Sequence, residues 1–188
     1  PNAQTRKWQF NDSSFTQDDA QNPVIEGWMR KQDCGQVTDG AATVVLATAD
    51  RAQAHCKKHG LSIQDLAYIR GWGHTTAPML MATKMEKSEL NGYVFPLTRK
   101  AITDAYQRAN ISGPADLDAI ETHDCFSITE YMAIEHFGIT RPGEAWKAIE
   151  EEKIGMCGEI PINPSGGLIR QGHPVGATGV RMLLDGVQ

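Results

Sequence analysis

Short blocks of apolar residues, separated by Gly, Pro and charged residues, run through most of this 188-residue chain. Apolar and partly β-branched runs at residues 41–48, 66–73 and 117–122 are typical of buried strands. Apolar positions spaced three or four residues apart predict helices, at residues 50–60, 97–109, 127–137, 142–153 and 177–184. Strands that alternate with helices indicate the α/β class, with a mixed sheet that carries helices on both faces.

Residues that begin or end helices mark the limits of these elements. Gly60 and Gly138 stand where a left-handed residue commonly ends a helix. Ser127 and Glu130 have the spacing of a capping box, which predicts that both side chains bond to the first turn of a helix. The methionine-rich residues 75–92 follow neither period, and their methionines are expected to fill gaps between apolar neighbours.

The densest glycine cluster lies at residues 163–179, where five of the seventeen residues are glycine. Glycine tolerates positive φ and lets other groups approach the backbone closely. Within the cluster, His173 stands between Gly172 and Pro174, and Pro favours the first position of a helix. A structural turn with a surface histidine and an imidazole presented for proton transfer are both compatible with this pattern. A phosphate-binding loop is disfavoured, because neither G-x-x-x-x-G-K-[ST] nor G-x-G-x-x-G occurs here.

A second polar cluster, His123-Asp124-Cys125, stands between a predicted strand and a predicted helix. Ligands of α/β proteins collect at the carboxyl ends of strands, and a helix N-terminus lowers the pKa of a nearby thiol. A reactive thiol at Cys125 and a small buried apolar side chain are both open from composition. His123 is either functional or a structural hydrogen-bonding residue. A metal site is disfavoured, because adjacent residues at a strand end rarely converge on one ion.

Composition narrows the classes of function. A formal net charge of −5 argues against a general nucleic-acid-binding protein. No apolar run approaches the length of a membrane span. The four cysteines contain no C-x-x-C pair, so reduced thiols are expected instead of a zinc site or a disulfide framework. The opening Pro1-Asn2 does not resemble a natural start, and the chain is expected to be a fragment.

Taken together, the motifs resemble one known family. The Asn-Pro-Ser-Gly-Gly run at 163–167, with Gly-His-Pro at 172–174 and Gly-Ala-Thr-Gly at 176–179, resembles the C-terminal signature of the thiolase superfamily. The His-Asp-Cys-Phe run at 123–126, where other thiolases carry Asn-Glu-Ala-Phe, resembles the sterol-carrier-protein branch. Asp-Gly-Ala-Ala at 39–42 is similar to the family's return from its loop domain. These motifs occur in the family's order along the whole chain.

The resemblance implies a layered α-β-α-β-α fold that is incomplete here. Residues 1–37 would close the loop domain, and residues 38–60 would be the last strand and helix of the N-terminal half. Residues 61–188 would form the C-terminal half, truncated before its last strands. The family's nucleophilic cysteine lies upstream in a Cys-x-Ser context, and a Cys-x-Gly loop lies downstream. Cys34, Cys56 and Cys157 match neither motif.

The family cleaves 3-ketoacyl-CoA with coenzyme A or runs the reverse Claisen condensation. By the resemblance, His173 accepts the proton of the nucleophile. His123 supplies an N–H to the oxyanion, and Cys125 moves the α-proton of the substrate. The complete protein would therefore be an acyltransferase, whereas the chain alone, without the nucleophile, is expected to be inactive.

The resemblance also predicts substrate contacts and partners. Gly166, Gly167 and Gly172 would keep the loop thin beside the thioester, while Asn163 and Phe126 would complete the substrate contacts. Acyl-CoA and coenzyme A are the expected partners, with no metal and no further cofactor. A homodimer and a sterol-carrier-type partner domain are expected, in the cytoplasm or, in a eukaryote, the peroxisome.

Two other functions fit a thiolase-like chain. Some relatives are retro-aldolases that act on CoA esters of steroid side chains and carry tyrosines in place of the thiol and imidazole motifs. Other relatives are non-catalytic subunits. The presence of both the His-Asp-Cys-Phe and the Gly-His-Pro motif argues against the retro-aldolase, and a Cys-x-Ser upstream would argue against the subunit.

Overall fold

A computed structural model describes residues 16–187, which form seven α-helices and one small sheet. The helices are α1 (Ala49–His59), α2 (Met81–Asn91), α3 (Pro96–Ala109), α4 (Ser127–Phe137), α5 (Ala145–Glu150), α6 (Gly167–Gln171) and α7 (Thr178–Asp185). Strands β1 (Val24–Glu26) and β2 (Met29–Arg30) pair antiparallel. The first fifteen residues of the predicted loop-domain segment lie outside the described part. Among residues 16–187, no helix combines the length and the apolar character needed to cross a membrane.

Two of the three predicted strands are not strands in the structure. Residues 41–48 belong to no helix or strand and pair with no other segment of residues 16–187, and Val45 is 89% exposed. A strand requires a partner backbone, and within this part of the chain none lies alongside. Residues 66–73 instead lie on α3, where the Arg70 guanidinium donates to the Ala109 carbonyl (3.1 Å). A Cβ on Gly73 would overlap the Ala101 carbonyl, so this segment packs directly on the helix backbone.

The third predicted strand survives as a single parallel bridge between Ile120 and Ile162. The Ile120 N–H donates to the Pro161 carbonyl (2.9 Å), and the Asn163 N–H donates to the Ile120 carbonyl (2.7 Å). This bridge aligns the segment before His123 with the segment before the glycine cluster. It therefore places the two sequence motifs side by side.

The predicted helix at 127–137 matches α4, which ends at Gly138 with φ of 87°. Helix α1 likewise ends at a left-handed Gly60, and the predicted helix at 177–184 matches α7 to within one residue. The predicted capping box at the start of α4 is absent, and no side chain of the described residues caps this end of the helix. Ser127 donates its hydroxyl to Asp33, and Glu130 accepts from the Asn163 side chain. Both side chains are therefore used in tertiary contacts.

The other helix predictions hold in part. Helix α3 begins one residue before the predicted range, at a proline that suits the first turn. Only the middle of the predicted helix at 142–153 is α-helical, as α5. The methionine-rich segment, which followed neither period, contains α2.

The apolar core surrounds the parallel bridge. Its buried members are Ile120, Ile134, Ala145, Ala148, Ile154, Ile160 and Ile162. Removing one isoleucine side chain from water contributes about 1.5–3 kcal/mol to folding. All of these residues lie between α3 and α6 in the sequence. The core therefore packs beneath the segments that lead into the His123 loop and the glycine cluster.

Candidate active site

The loop that carries His123 and Cys125 joins the parallel bridge to α4. Its entry is fixed by the Thr122 N–H, which donates to Asn163 Oδ1 (2.8 Å). Along the loop, the side chain of His123 is exposed, that of Asp124 is buried and that of Cys125 is half-buried. The predicted functional pair therefore brackets one buried carboxyl group.

Asn163 ties the two motifs together. Its side chain is 1% exposed, and its φ of 51° is left-handed, a conformation that Asn tolerates better than most residues. Besides accepting from Thr122, its amide donates to Glu130 Oε2 on α4 (2.8 Å). A contact between Asn163 and substrate stays a prediction, and the bonds to Thr122 and Glu130 give this residue a clear structural task.

Glu121 makes a parallel tie that the sequence did not predict. Its two carboxylate oxygens accept from the backbone N–H of Ser165 (2.9 Å) and from the Ser165 hydroxyl (2.8 Å). Burial raises the pKa of Glu121, and the two bonds from Ser165 act in the opposite direction. These two bonds join the start of the glycine cluster to Glu121, two residues before His123.

Asp124 is the buried carboxyl group between the loops. It is 1% exposed, and its Oδ1 accepts from the Leu168 N–H (2.6 Å) in the first turn of α6. Burial, followed by the nearby Glu130, raises the pKa of Asp124 to about 7. A Cβ on Gly167, whose φ is +65°, would overlap this carboxylate. Gly167 is therefore required for the approach of Asp124, whatever its relation to a substrate.

The other two predicted glycines shape the same loop. Gly166 adopts a φ of 102° just before α6, and Gly172 adopts a φ of 83° just after it. Both are buried. The Gly172 carbonyl accepts from the Arg181 guanidinium on α7 (2.9 Å). These contacts fix the backbone on the N-terminal side of His173.

His173 precedes α7 but does not begin it. The helix starts at Thr178, four residues after Pro174 and within one residue of the predicted start at Ala177. Thr178 is buried, and its Oγ1 lies 2.8 Å from His173 Nδ1. This hydrogen bond orients the imidazole. Thr178 was missed in the sequence, although its place five residues after His173 at a helix start is a usable signal.

The structure brings His123 and His173 together from positions fifty residues apart in the chain. Their ring centroids are 4.9 Å apart, and the rings are nearly perpendicular, with an interplanar angle of 81°. Partial burial, with loss of some hydration, lowers the pKa of the otherwise solvent-accessible His123, and the neighbouring His173 lowers it further. A neutral imidazole has one N–H donor and one basic nitrogen, so the pair can donate a hydrogen bond and accept a proton at the same place.

Cys125 lies two residues beyond His123 on the same loop. Its Sγ is 3.9 Å from Thr129 Oγ1, and its carbonyl accepts from the Gly35 N–H (2.7 Å). The next residue, Phe126, is 45% exposed. Cys34, Cys56, Cys125 and Cys157 are all free thiols. Within residues 16–187, no three His, Cys, Asp or Glu side chains are grouped to hold a metal ion.

Comparison with known proteins adds independent information. The family described as "Thiolase C-terminal domain-like" matches residues 79–188, more than half of the chain. The chain is 33% identical over 157 residues to "Acetyl-CoA acetyltransferase" of Methanothermobacter thermautotrophicus, covering 84% of this chain and 38% of that protein. It is 30% identical over 177 residues to "Sterol carrier protein 2" of Rattus norvegicus, covering 94% and 31%.

The fold is also similar to a solved structure. A chain of "Ltp2-ChsH2(DUF35) aldolase" superposes with a TM-score of 0.68 at 22% identity, over 96% of this chain and 45% of that one. This likeness supports the layered α/β architecture expected from the sequence. The chain spans only about a third of the length of the two curated relatives.

Proposed function

Because the chain belongs to the thiolase family, we propose that the whole protein is an acyltransferase that acts on coenzyme A thioesters. The reaction would be the cleavage of a 3-ketoacyl-CoA by coenzyme A, or the reverse condensation. The observation that carries the proposal is the perpendicular pair of His123 and His173, 4.9 Å apart, with Cys125 on the same loop. A thiolase needs two acid–base groups and an oxyanion donor around one thioester, and these three residue types supply them.

In this proposal His173 is the base that activates the nucleophile. The hydrogen bond between its Nδ1 and Thr178 leaves Nε2 as the nitrogen that accepts the thiol proton. The nucleophilic cysteine itself would belong to a part of the protein outside residues 1–188. In condensation, the thiolate formed there attacks the thioester carbonyl of the acyl-CoA, and His173 gives its proton to the coenzyme A thiolate that leaves. In cleavage, the thiolate attacks the 3-keto carbonyl, and the proton held by His173 returns to the cysteine thiolate when coenzyme A, whose own proton restores the Cys125 thiol, takes the acyl group.

His123 would donate its N–H to the oxygen that becomes negative as the thioester carbonyl is attacked. Partial burial and the neighbouring His173 lower the pKa of His123, which favours the neutral imidazole, and the N–H of that form is the donor. A donor in such a position lowers the barrier by about 3–4 kcal/mol.

Cys125 would transfer the proton at the α-carbon of the acyl group. In cleavage it protonates the carbanion equivalent released when the carbon–carbon bond breaks, and in condensation it removes that proton. A thiol suits this task because its pKa lies near enough to neutral to give and accept a proton.

The remaining expectations complete the proposal. Acyl-CoA and coenzyme A are substrates, and neither a metal nor another cofactor takes part. Gly166, Gly172 and Phe126 would line the thioester, with Asn163 and Gly167 beside them. The whole protein would form a homodimer, would work with a sterol-carrier-type domain, and would reside in the cytoplasm or in the peroxisome of a eukaryote.

The experiment is an acyl-transfer assay on the full-length protein with acetoacetyl-CoA and coenzyme A. We expect His173→Ala to abolish acyl transfer, and Cys125→Ala to block carbon–carbon cleavage while still allowing the acyl group to exchange between thioester and enzyme. Condensation by Cys125→Ala at the wild-type rate would exclude the proton-transfer role of this thiol.

A second substrate tests the reaction class. A retro-aldolase cleaves a β-hydroxyacyl-CoA, whereas a thiolase cleaves a 3-ketoacyl-CoA. If the full-length protein cleaved only the β-hydroxyacyl-CoA, the thiolase proposal would be wrong. A full-length protein inactive on both, and without an upstream Cys-x-Ser, would instead be a non-catalytic thiolase-like subunit.

A further inference from the structure

A short segment, residues 33–38, contacts both the loop of His123 and Cys125 and the glycine-rich residues 163–179, and we call it the bridging strip. Its first residue, Asp33, ends a 3-10 turn, and bridges to other segments form at Cys34 and Val37. Its first half runs antiparallel to the Cys125 loop, through a bridge between Cys34 and Phe126. The Gly35 N–H donates to the Cys125 carbonyl at 2.7 Å. The strip is therefore hydrogen-bonded directly to the peptide that carries the predicted proton-transfer thiol.

The second half of the strip is bonded to His173 on both sides. Val37 and His173 form a parallel bridge. The His173 N–H donates to the Gln36 carbonyl (2.8 Å), and the Thr38 N–H donates to the His173 carbonyl (3.3 Å). The backbone of the predicted base is thus held at two successive points.

The strip also has side-chain and packing contacts at its first end. Asp33 Oδ1 accepts from the hydroxyl of Ser127, the first residue of α4 (3.0 Å). A Cβ on Gly35 would lie 3.2 Å from the Cys125 carbonyl oxygen and 3.6 Å from the Leu168 carbonyl carbon. Gly35 therefore lies against both backbones, and a Cβ there would crowd the Cys125 carbonyl while making an ordinary contact with Leu168.

We propose that the bridging strip sets the separation of Cys125 and His173, with Gly35 and Asp33 as positioning residues. The two loops are 48 residues apart in sequence, and each bonds to a segment only a few residues long. An extended backbone rises about 3.3 Å per residue. The hydrogen bonds at Gly35 and at Gln36 therefore hold Cys125 and His173 at a fixed distance from each other. The catalytic part of this inference rests on the proposed function, but the geometric part does not.

The main test compares Gly35→Ala with Gly113→Ala in the full-length protein. Gly113 has open space around its Cβ position and an extended φ of 169°, so it is a matched control. Two quantities are measured: kcat and KM for cleavage of acetoacetyl-CoA, and the iodoacetamide labelling rate of Cys125. Labelling is followed peptide by peptide by mass spectrometry, with the exposed Cys157 as internal reference.

We expect Gly35→Ala to lower kcat roughly tenfold with little change in KM, because sub-ångström displacement of reacting groups is costly. The displaced loop should also expose its thiol, so Cys125 should label about threefold faster relative to Cys157. Gly113→Ala should leave both quantities at the wild-type level. A Gly35→Ala protein with wild-type kcat and wild-type Cys125 labelling would overturn the proposal.

A milder pair of variants tests the Asp33 contact at its partner, Ser127. Ser127→Ala removes the hydroxyl that Asp33 accepts from, yet Ala is favourable in a helix. Ser127→Thr keeps a hydroxyl. We expect faster Cys125 labelling and a lower kcat in Ser127→Ala, both largely restored in Ser127→Thr. Equal behaviour of the two variants would refute a positioning role for Asp33.

The labelling and kinetic readouts separate the two proposals. If the wild-type full-length protein had no thiolase activity, the proposed function would fail, while the labelling of Cys125 would still test the strip. If activity were present and Gly35→Ala changed neither readout, only the strip would be refuted.

Discussion

Residues 117–187 and residues 41–95 have similar apolar content but different surroundings. The first region contains the whole buried cluster around Ile120 and Ile162, together with both imidazoles. The second region exposes its large apolar side chains, among them Val45 (89%), Leu46 (74%), Trp72 (61%), Met79 (92%) and Leu90 (79%). A groove of about 360 Å³ between α2 and α3 is lined by further apolar side chains of this region, including Met81, Met85 and Phe95.

An apolar pattern therefore leads to burial only where a second layer of the structure covers it. Helix α4 packs against the bridge Ile120–Ile162, and apolar side chains of both are buried in one cluster. The run at 41–48 has an equally apolar pattern but pairs with no segment of residues 16–187. Energetically, the first region is expected to hold most of the folding free energy of the chain.

The largest expected effect comes from the core. Ile162→Ala should lower the free energy of unfolding by about 2–5 kcal/mol, because the side chain is completely buried and leaves a cavity. Val45→Ala, at an exposed position, should change it by less than about 0.5 kcal/mol. Urea unfolding of the chain measures both. Equal losses in the two variants would remove the contrast between the regions.

A second variant tests the close packing between the motif loops. Gly167→Ala should cost about 2–3 kcal/mol, because it places a Cβ on the Asp124 carboxylate at a positive φ. Gly176→Ala, in the same glycine cluster but with open space at its Cβ position, is the matched control. If the two substitutions had the same effect on unfolding, Asp124 would not be packed against Gly167 in solution.

Local signals in the sequence predicted the helices well. The period and the glycine stops gave the bounds of α4 and the end of α1, because both depend on residues adjacent in the chain. Helix α6 was not predicted, since Gly166 and Gly167 are typical of a turn. Its first turn is held by Asp124, which lies 44 residues away and leaves no local signal.

The site was predictable only in part for the same reason. The motifs identified His123, Cys125 and His173 as candidates, and the resemblance to a family implied that they meet. Spacing alone could not show the pairing of the two rings, because it depends on the bridge at Ile120 and on the bonds of Asn163. The predicted capping box does not form, because Ser127 donates to Asp33 and Glu130 accepts from Asn163.

The pH dependence of stability should separate the regions further, since the buried carboxyl groups lie beside the site. The pKa of Asp124 is raised from 3.8 to about 7, so the folded chain binds this proton more tightly than the unfolded chain. Its contribution is therefore greatest below pH 4 and is lost as the pH rises toward 7, by at most about 1.4 kcal/mol per pH unit.

Asp124→Asn isolates this contribution, because the raised pKa of Glu121 and the lowered pKa of His123 remain in both proteins. Urea unfolding at intervals from pH 4 to 8 should show a steeper fall with pH in the wild type than in Asp124→Asn. Asp118→Asn, at an exposed position, should keep the wild-type slope. Parallel slopes for the wild type and Asp124→Asn would contradict the assignment.

The smallest effect concerns one hydrogen bond at the site. Thr178→Val keeps the shape of a completely buried side chain but removes the hydroxyl beside His173 Nδ1, at a cost of about 1 kcal/mol in unfolding free energy. Thr178→Ser keeps the hydroxyl and loses only a methyl group. Because the imidazole would no longer be held in one orientation, we expect the Val variant to lose more acyl-transfer activity than the Ser variant in the full-length protein. The opposite order would mean that the methyl group of Thr178, and not its hydroxyl, supports His173. Packing, and not hydrogen bonding, would then fix the orientation of this imidazole.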